Sequence, residues 1–471
     1  MRNRMNRMET MYMMRQEPGA DRRTGDLGPA GARGTLMRSA RWRDVAPILV
    51  ASVGLAVVSA AAGPAAAEAA ASERGQESAA TAFTGARVIV GDGSDPIENA
   101  TFVVEGDRFV AVGPSGEVEV PAGAERVDLT GRTIIPALID THVHLSRTRA
   151  ALIEDLERRA YYGVAAAMSL GQDTGEDVYR VRAETIPGAA RYRTAGRGIT
   201  RPEPGRSDIP FWITTEDEAR AAVRELAALE VDIVKIWVDD RNGRYEKLTP
   251  ALYGAVIDEA HRHGLRVTAH IFSLEDAKGL LRAGVDAFAH GVRDRDVDDE
   301  FVELVRARPH VVLVPNLPGR GVAEELGWLS GTIPVGELAE IQARFADRPE
   351  AQAGFAIQAR NLARLNAEGM RIAFGTDGNA GWSPHVEMAD MVASGMTPHE
   401  VLVAATSSSA AFLRLEDAGT VAEGQSADFV VLAANPLDDI TNTRRIEAVF
   451  LRGMAVDRAA LSERWGGDGT R

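Results

Sequence analysis

Six side chains in this sequence have types and spacings that suit metal chemistry. His142 and His144 form an H-x-H within LIDTHVHL, and the two-residue step puts both on one face of an extended segment. His270 ends VTAH, His290 ends AFAH, and Asp377 ends FGTD. Lys235 lies inside the apolar run IVKIW. The chain has no cysteine, which excludes thiolate metal sites, cysteine nucleophiles and disulfides together. Imidazole with carboxylate suits zinc first, with manganese, iron, cobalt and nickel as alternatives. A lone buried histidine is ordinarily a satisfied core residue, and Asp377 alone would read as a turn former. The set argues for ligation because every member falls at the end of, or within, an apolar run. The remaining histidines divide: His261, His263, His310 and His399 sit on helical stretches or beside polar turns and read as surface residues.

Lys235 carries its own argument. The chain has 53 Lys+Arg, of which only Lys235, Lys247 and Lys278 are lysines. An ammonium within I-V-K-I-W would bury an unpaired charge at large cost. Beside metal cations the neutral amine is favoured instead. A neutral lysine can add carbon dioxide to become a carbamate, whose negative charge and two oxygens can bridge two metals. Arginine cannot do this, because its guanidinium stays protonated. The alternative is a lysine paired with a carboxylate of the core.

These groups need elements to position them. Residues 136–416 alternate short apolar runs with amphipathic helical stretches. The predicted strands are Ile134–Ile139, Val164–Leu170, Arg191–Ala195, Ile233–Trp237, Arg266–Ala269, Ala287–Ala289, Val311–Val314 and Ile372–Phe374. Helical stretches such as Glu216–Leu229, Pro250–His263, Leu274–Ala283 and Gln352–Glu368 separate them. Eight such units predict an α/β fold, a (β/α)8 TIM barrel, whose chemistry gathers at the carboxyl ends of the strands. The candidate ligands fall at those ends. Residues 82–135 and 417–457 are strand-like and short-turned, and predict a small β-sandwich built from both chain ends.

The balance of the chain is acidic, 68 Asp+Glu giving a net charge of -15 over 471 residues, which argues against nucleic acid. Residues 1–67 read as a disordered start followed by a signal peptide: Arg38, Arg41 and Arg43 precede the uncharged run 45–67, which ends in Ala65-Ala66-Ala67. Met37 would make an ordinary first residue for it. The alternative is an uncleaved membrane anchor. With cleavage, the expectation is a periplasmic or secreted protein with no stable membrane span, acting on a small molecule, and free to form a homo-oligomer.

The motifs IIPALIDTHVHL, IVKIW, VTAH, AFAHG, FGTD and GTVAEGQSADFVVLAANPL together resemble the amidohydrolase superfamily over residues 82–457. Pro136-Ala137 stands where that family usually has Pro-Gly. The resemblance is to the binuclear subtype with a carboxylated lysine, and within it to imidazolonepropionase-related enzymes and dipeptidases that cleave before proline. It implies that His142, His144 and Asp377 hold one metal, that His270 and His290 hold the other, and that a carbamate on Lys235 bridges them. A water shared by two metals would become a nucleophile near neutral pH, with Asp377 as its proton acceptor. The expected reaction is hydrolysis of an amide-like C–N bond in a cyclic amide, an N-acyl amino acid or a dipeptide. A lactonase or phosphotriesterase on the same site is the alternative, as is a decayed metal-binding protein. Specificity is expected from the long loops 171–189, 196–215 and 315–351. In them Arg197 is a candidate clamp for a substrate carboxylate. His385, just past the last strand, is a candidate substrate contact or a loop cap.

Overall fold

The computed structural model describes residues 80–466, so the signal-peptide reading of residues 1–67 lies outside the described residues. Eight parallel strands carry the middle of the chain. They are β6 (Leu138–Val143), β7 (Val164–Ser169), β8 (Arg191–Thr194), β11 (Val234–Val238), β12 (Val267–Ile271), β13 (Ala287–Ala289), β14 (Val312–Val314) and β15 (Arg371–Ile372). Helices lie between most of them, including Glu216–Ala228, Pro250–Arg262, Leu274–Ala283 and Pro349–Ala367, each within a few residues of its predicted span. Two short strands, β9 (Ile199–Thr200) and β10 (Phe211–Trp212), were not predicted; they pair with each other inside the long loop after β8.

The parallel ladders form two sheets, β6-β7-β8 and β10-β9-β11-β12-β13-β14-β15. Main-chain bonds cross both gaps. Asp232 N donates to Thr194 O (3.0 Å) between β8 and β11, and Thr141 N donates to Phe374 O (2.9 Å) between β6 and the end of β15. The architecture is therefore α/β and TIM-barrel-like. Along β11, Val234, Ile236 and Val238 face the helix-side core, which leaves Lys235 and Trp237 on the opposite, inward face. The apolar run around Lys235 is thus two-faced, and the lysine is aimed at the interior by simple alternation.

Both chain ends build one further sheet. It contains β1 (Thr81–Val88), β2 (Ile97–Glu105), β3 (Arg108–Pro114), β4 (Glu125–Asp128), β5 (Thr133–Pro136), β16 (Phe429–Leu432), β17 (Ile446–Leu451) and β18 (Met454–Ala455). These strands join in a single eight-stranded sheet, β18-β17-β16-β5-β1-β2-β3 with β4 on β1, which curls so that Phe102 on β2 meets Phe429 on β16 at 5.2 Å. The reason lies in β1. Thr81–Thr84 pair with β4, whereas Arg87 and Val88 pair with β5, and Gly85 between them takes φ +84° against Thr130. One strand thereby serves two neighbours on the same edge. Phe83, Phe102, Phe109, Phe429 and Phe450 form the core, with Phe83–Phe102 stacked at 4.8 Å and Phe429–Phe450 at 4.5 Å. Alternate residues Val430 and Leu432 join the barrel-side core instead, so the sheet is apolar on both faces.

The first predicted strand, Ile134–Ile139, is in fact two. Thr133–Pro136 pair antiparallel with β16, and from Leu138 the chain pairs with β7. Proline has no N–H to continue a ladder, so the chain changes sheets at Pro136–Ala137. A continuous apolar run hid that boundary.

Candidate metal centre

The strand ends bring His142, His144, His290 and Asp377 onto one point. Asp377 Oδ1 lies 3.2 Å from His142 Nε2 and 2.9 Å from His144 Nε2, while Oδ2 lies 3.7 Å from His290 Nε2. His142, His144 and Asp377 offer three ligand atoms within 4.8 Å of one another. The ring of His290 is 5.1 Å from that of His142 and 4.6 Å from that of His270, which extends the cluster to β12. Buried polar atoms here lack partners: His142 Nε2, His290 Nδ1 and Lys235 Nζ make no hydrogen bond. A buried amine with no carboxylate bound to it disfavours the simple ion-pair reading of Lys235. The donor set and these orphaned atoms fit divalent cations.

Burial favours the neutral imidazole at His142, His270 and His290. Burial, joined by Lys235, pushes His142 down to about 4. Burial holds His270 at about 3 despite Asp239, and His290 well below the usual imidazole range. Lys235 falls to about 7, because burial, joined by Arg293 and Arg241, outweighs the attraction of Asp377. Burial pushes Asp377 up, but His142, His144 and His290 outweigh it and hold the carboxyl well below its usual range. Neutral imidazoles around an ionised carboxylate are what a cation needs.

The backbone is strained where the cluster needs it. Among the described residues nine non-glycines have positive φ, and His290 (123°), Asn316 (44°), Asp377 (51°) and Arg241 (54°) all belong to this region. Each such conformation costs about 1–3 kcal/mol, and functional sites are where it is retained. The peptide of Asp377 is pinned by its own N–H to His142 O (2.7 Å). Beneath it, Ser409 Oγ accepts from Phe374 N (2.9 Å) and donates to Ala404 O (2.7 Å), across the π-turn Ala404–Ser408.

A model of the amidohydrolase family matches residues 133–456. The chain belongs to the amidohydrolase family. This amidohydrolase is 27% identical to an imidazolonepropionase of Deinococcus radiodurans over 76% of its own length and 92% of that protein's. It is 26% identical to an ochratoxinase of Aspergillus niger, over 79% and 85%. A solved structure of a putative prolidase from Bifidobacterium longum superimposes with a TM-score of 0.66 at 28% identity, covering 82% of this chain and 99% of that one. The likeness places it with the imidazolonepropionase and prolidase-like branch.

The two candidate substrate contacts are engaged with other groups in this amidohydrolase. His385 is buried, with Nδ1 3.1 Å from Thr443 Oγ1 and Nε2 3.0 Å from Tyr162 O, so both ring nitrogens are occupied and it ties the helix Pro384–Ala393 in place. Arg197 stacks its guanidinium 3.8 Å over Phe211 and donates from Nε to Ile209 O (2.5 Å), which spends it on the β9–β10 loop. Conversely, sequence reasoning missed Asp239, Asn316 and the pair Asp140–Arg159. Asn316 Oδ1 lies 2.8 Å from His142 Nδ1 and follows β14, the one late strand that had been given no chemical group.

His385 has a measurable consequence. Burial holds it at about 3 in the fold, against an ordinary 6.5. Between those values the unfolded chain takes up a proton that the folded chain refuses, so stability falls as pH drops below about 6.5, by at most about 1.4 kcal/mol per pH unit for this group. Urea denaturation from pH 6.5 to 4.5 is expected to show a shallower decline for His385→Gln, reduced by up to one proton. An unchanged slope would assign the dependence to the other buried histidines, His142, His270 and His290.

Trp237 closes one side of the centre. Its ring packs on Gly171 and Gly198, where an added Cβ would lie 2.5 Å and 2.0 Å from ring carbons. Gly198→Ala is expected to cost about 1–3 kcal/mol by overpacking, read in urea denaturation, and to displace the indole. Wild-type stability in that variant would mean that the loop yields freely.

Proposed function

We propose that this protein is an exported enzyme that hydrolyses an amide-like C–N bond in a cyclic amide, an N-acyl amino acid or a dipeptide. Its family membership makes it a hydrolase acting on carbon–nitrogen bonds. We place the reaction at the mouth of a closed (β/α)8 barrel, residues 136–416, with residues 82–135 and 417–457 as the small β domain. We assign one divalent cation, zinc first, to His142, His144 and Asp377, and a second to His270 and His290, with Lys235 between them as a carbamate. The observation that carries this reading is Lys235: an amine fully buried, without a hydrogen-bond partner, on the inward face and near enough to His142 and Asp377 to interact with both.

The cations would supply Lewis acidity, lowering the pKa of a shared water and polarising the substrate carbonyl. The protein's own residues do the rest. Asp377, ionised and half-buried, accepts the proton of the attacking water as its oxygen bonds to the carbonyl carbon. When the C–N bond breaks, the same carboxyl delivers that proton to the departing nitrogen. Trp237 packs on one side of the site, against Gly171 and Gly198.

A panel of N-acyl amino acids, dipeptides, lactones and a phosphotriester, assayed with the zinc-loaded chain, tests this. Hydrolysis of at least one amide class with little phosphotriester turnover is expected. Lactone or phosphotriester turnover exceeding every amide would favour C–O or P–O cleavage, and no turnover with zinc bound would favour a binding protein.

A further inference from the structure

We propose that Asp239 is a positioning residue that sets the ring tautomer of His270 and so decides which of its nitrogens meets a cation. The inference rests on the two-cation reading above. Asp239 follows β11 at the same parity as the inward-facing Lys235 and Trp237, four residues after the lysine, and is 5% exposed. Its Oδ2 lies 3.0 Å from His270 Nε2. The carboxylate is itself locked. Oδ1 accepts from the backbone N–H of Arg241 (2.8 Å), and Oδ2 accepts from the Arg241 guanidinium (2.7 Å). Arg241 is in turn held by Glu203 Oε1 at 3.1 Å and adopts φ 54° to make this turn.

A carboxylate can only accept. At 3.0 Å an unprotonated Nε2 would set a lone pair against an anion, so the proton belongs on Nε2 and the free lone pair on Nδ1. The Arg241 guanidinium also comes within 3.2 Å of Nε2, but its shorter contact is to Asp239, and the anion dominates. His142 is held the other way round. Asn316 Oδ1 faces its Nδ1 at 2.8 Å, while Nε2 lies 3.2 Å from Asp377 Oδ1, where a cation shared with that carboxylate would stand in place of a proton. With cations bound, the two halves of the centre would therefore present opposite ring nitrogens, His142 backed by a neutral amide and His270 by a carboxylate. Such partners of ligating histidines are worth about 10–100-fold in metal affinity.

The test uses the full chain loaded with zinc and dialysed against a graded series of chelator, with zinc per chain measured at each step. Wild type is expected to hold two zincs. Asp239→Ala is expected to release one of them at about 10–100-fold lower chelator and to keep the other. Asp239→Asn, whose amide oxygen can still accept from Nε2–H, is expected to lose less than tenfold. Asn316→Ala should weaken the other zinc. Two zincs retained by Asp239→Ala at wild-type chelator strength would overturn the inference, as would equal loss of both. The second measurement needs no variant and no metal. Nitrogen-15 shifts of His270 in the metal-free wild type should report the Nε2–H tautomer, and an Nδ1–H tautomer would refute the role of Asp239. A wild type that binds no zinc but shows Nε2–H would sink the two-cation reading and leave the tautomer assignment standing.

Discussion

Asp377→Asn is expected to keep its fold and most of its zinc while kcat falls by about 10²–10⁴-fold, the usual worth of a positioned general acid–base group. The substitution preserves volume and one acceptor oxygen. It removes the anion. That anion is what three histidines stabilise: His142, His144 and His290 together hold the carboxyl well below its usual range. A group this firmly ionised is available as an acceptor throughout neutral pH. An amide in its place can still face His144 at the 2.9 Å position, but it cannot take up a proton. Steady-state kinetics paired with zinc quantitation separates the roles. A variant with full zinc and activity within tenfold of wild type would remove Asp377 from the chemistry. Loss of zinc in parallel with activity would make it a ligand before anything else.

The candidate cluster was legible because apolar periodicity marks strands, and the candidate groups stand where the periodicity stops. His142, Lys235, His270, His290 and Asp377 each follow or interrupt such a run, so a barrel prediction located them in one stroke. The residues that orient them had no such marker. Asp239 and Asn316 occupy polar turns after β11 and β14, and a polar residue in a turn is unremarkable until its partner is known. Arg159 was hidden differently. It lies in the helix Arg149–Tyr161, in a chain where arginine does nearly all the cationic surface work, yet it is fully buried. Proximity in sequence also misled. His385 follows Asp377 by eight residues, but at the start of the helix Pro384–Ala393 its ring turns to Tyr162 and Thr443. The scarcity of lysine did carry information, though not uniformly. Lys247 and Lys278 are ordinary ion-pair partners, the first with Asp276 at 2.7 Å and the second with Asp298 at 2.6 Å and Glu300 at 2.8 Å. Only Lys235 lacks such company.

Arg159→Met is expected to destabilise the protein by about 3–5 kcal/mol, because it strands a buried carboxylate. Arg159 and Asp140 are both inaccessible to solvent and meet at 3.1 Å. Burial pushes the Asp140 carboxyl up even with the guanidinium beside it, which means desolvation outweighs the attraction. The pair therefore adds little net stability, yet neither member tolerates losing the other. Its work is geometric. Asp140 Oδ1 accepts from Thr376 N at 3.1 Å and Oδ2 from Thr376 Oγ1 at 2.8 Å, while Arg159 donates to Gly378 O at 2.8 Å. These bonds grip both neighbours of Asp377 and sustain its strained φ of 51°. Asp140→Asn/Arg159→Met removes both charges, so urea denaturation should find it less destabilised than the sum of its single variants. It should nonetheless bind zinc more weakly than wild type, because an asparagine can supply only one acceptor oxygen to Thr376 and nothing reaches Gly378. A single Arg159→Met variant within about 1 kcal/mol of wild type would show that water or another cation takes over the buried charge. A double variant with wild-type zinc affinity would show that residues 376–378 hold their shape without this strut.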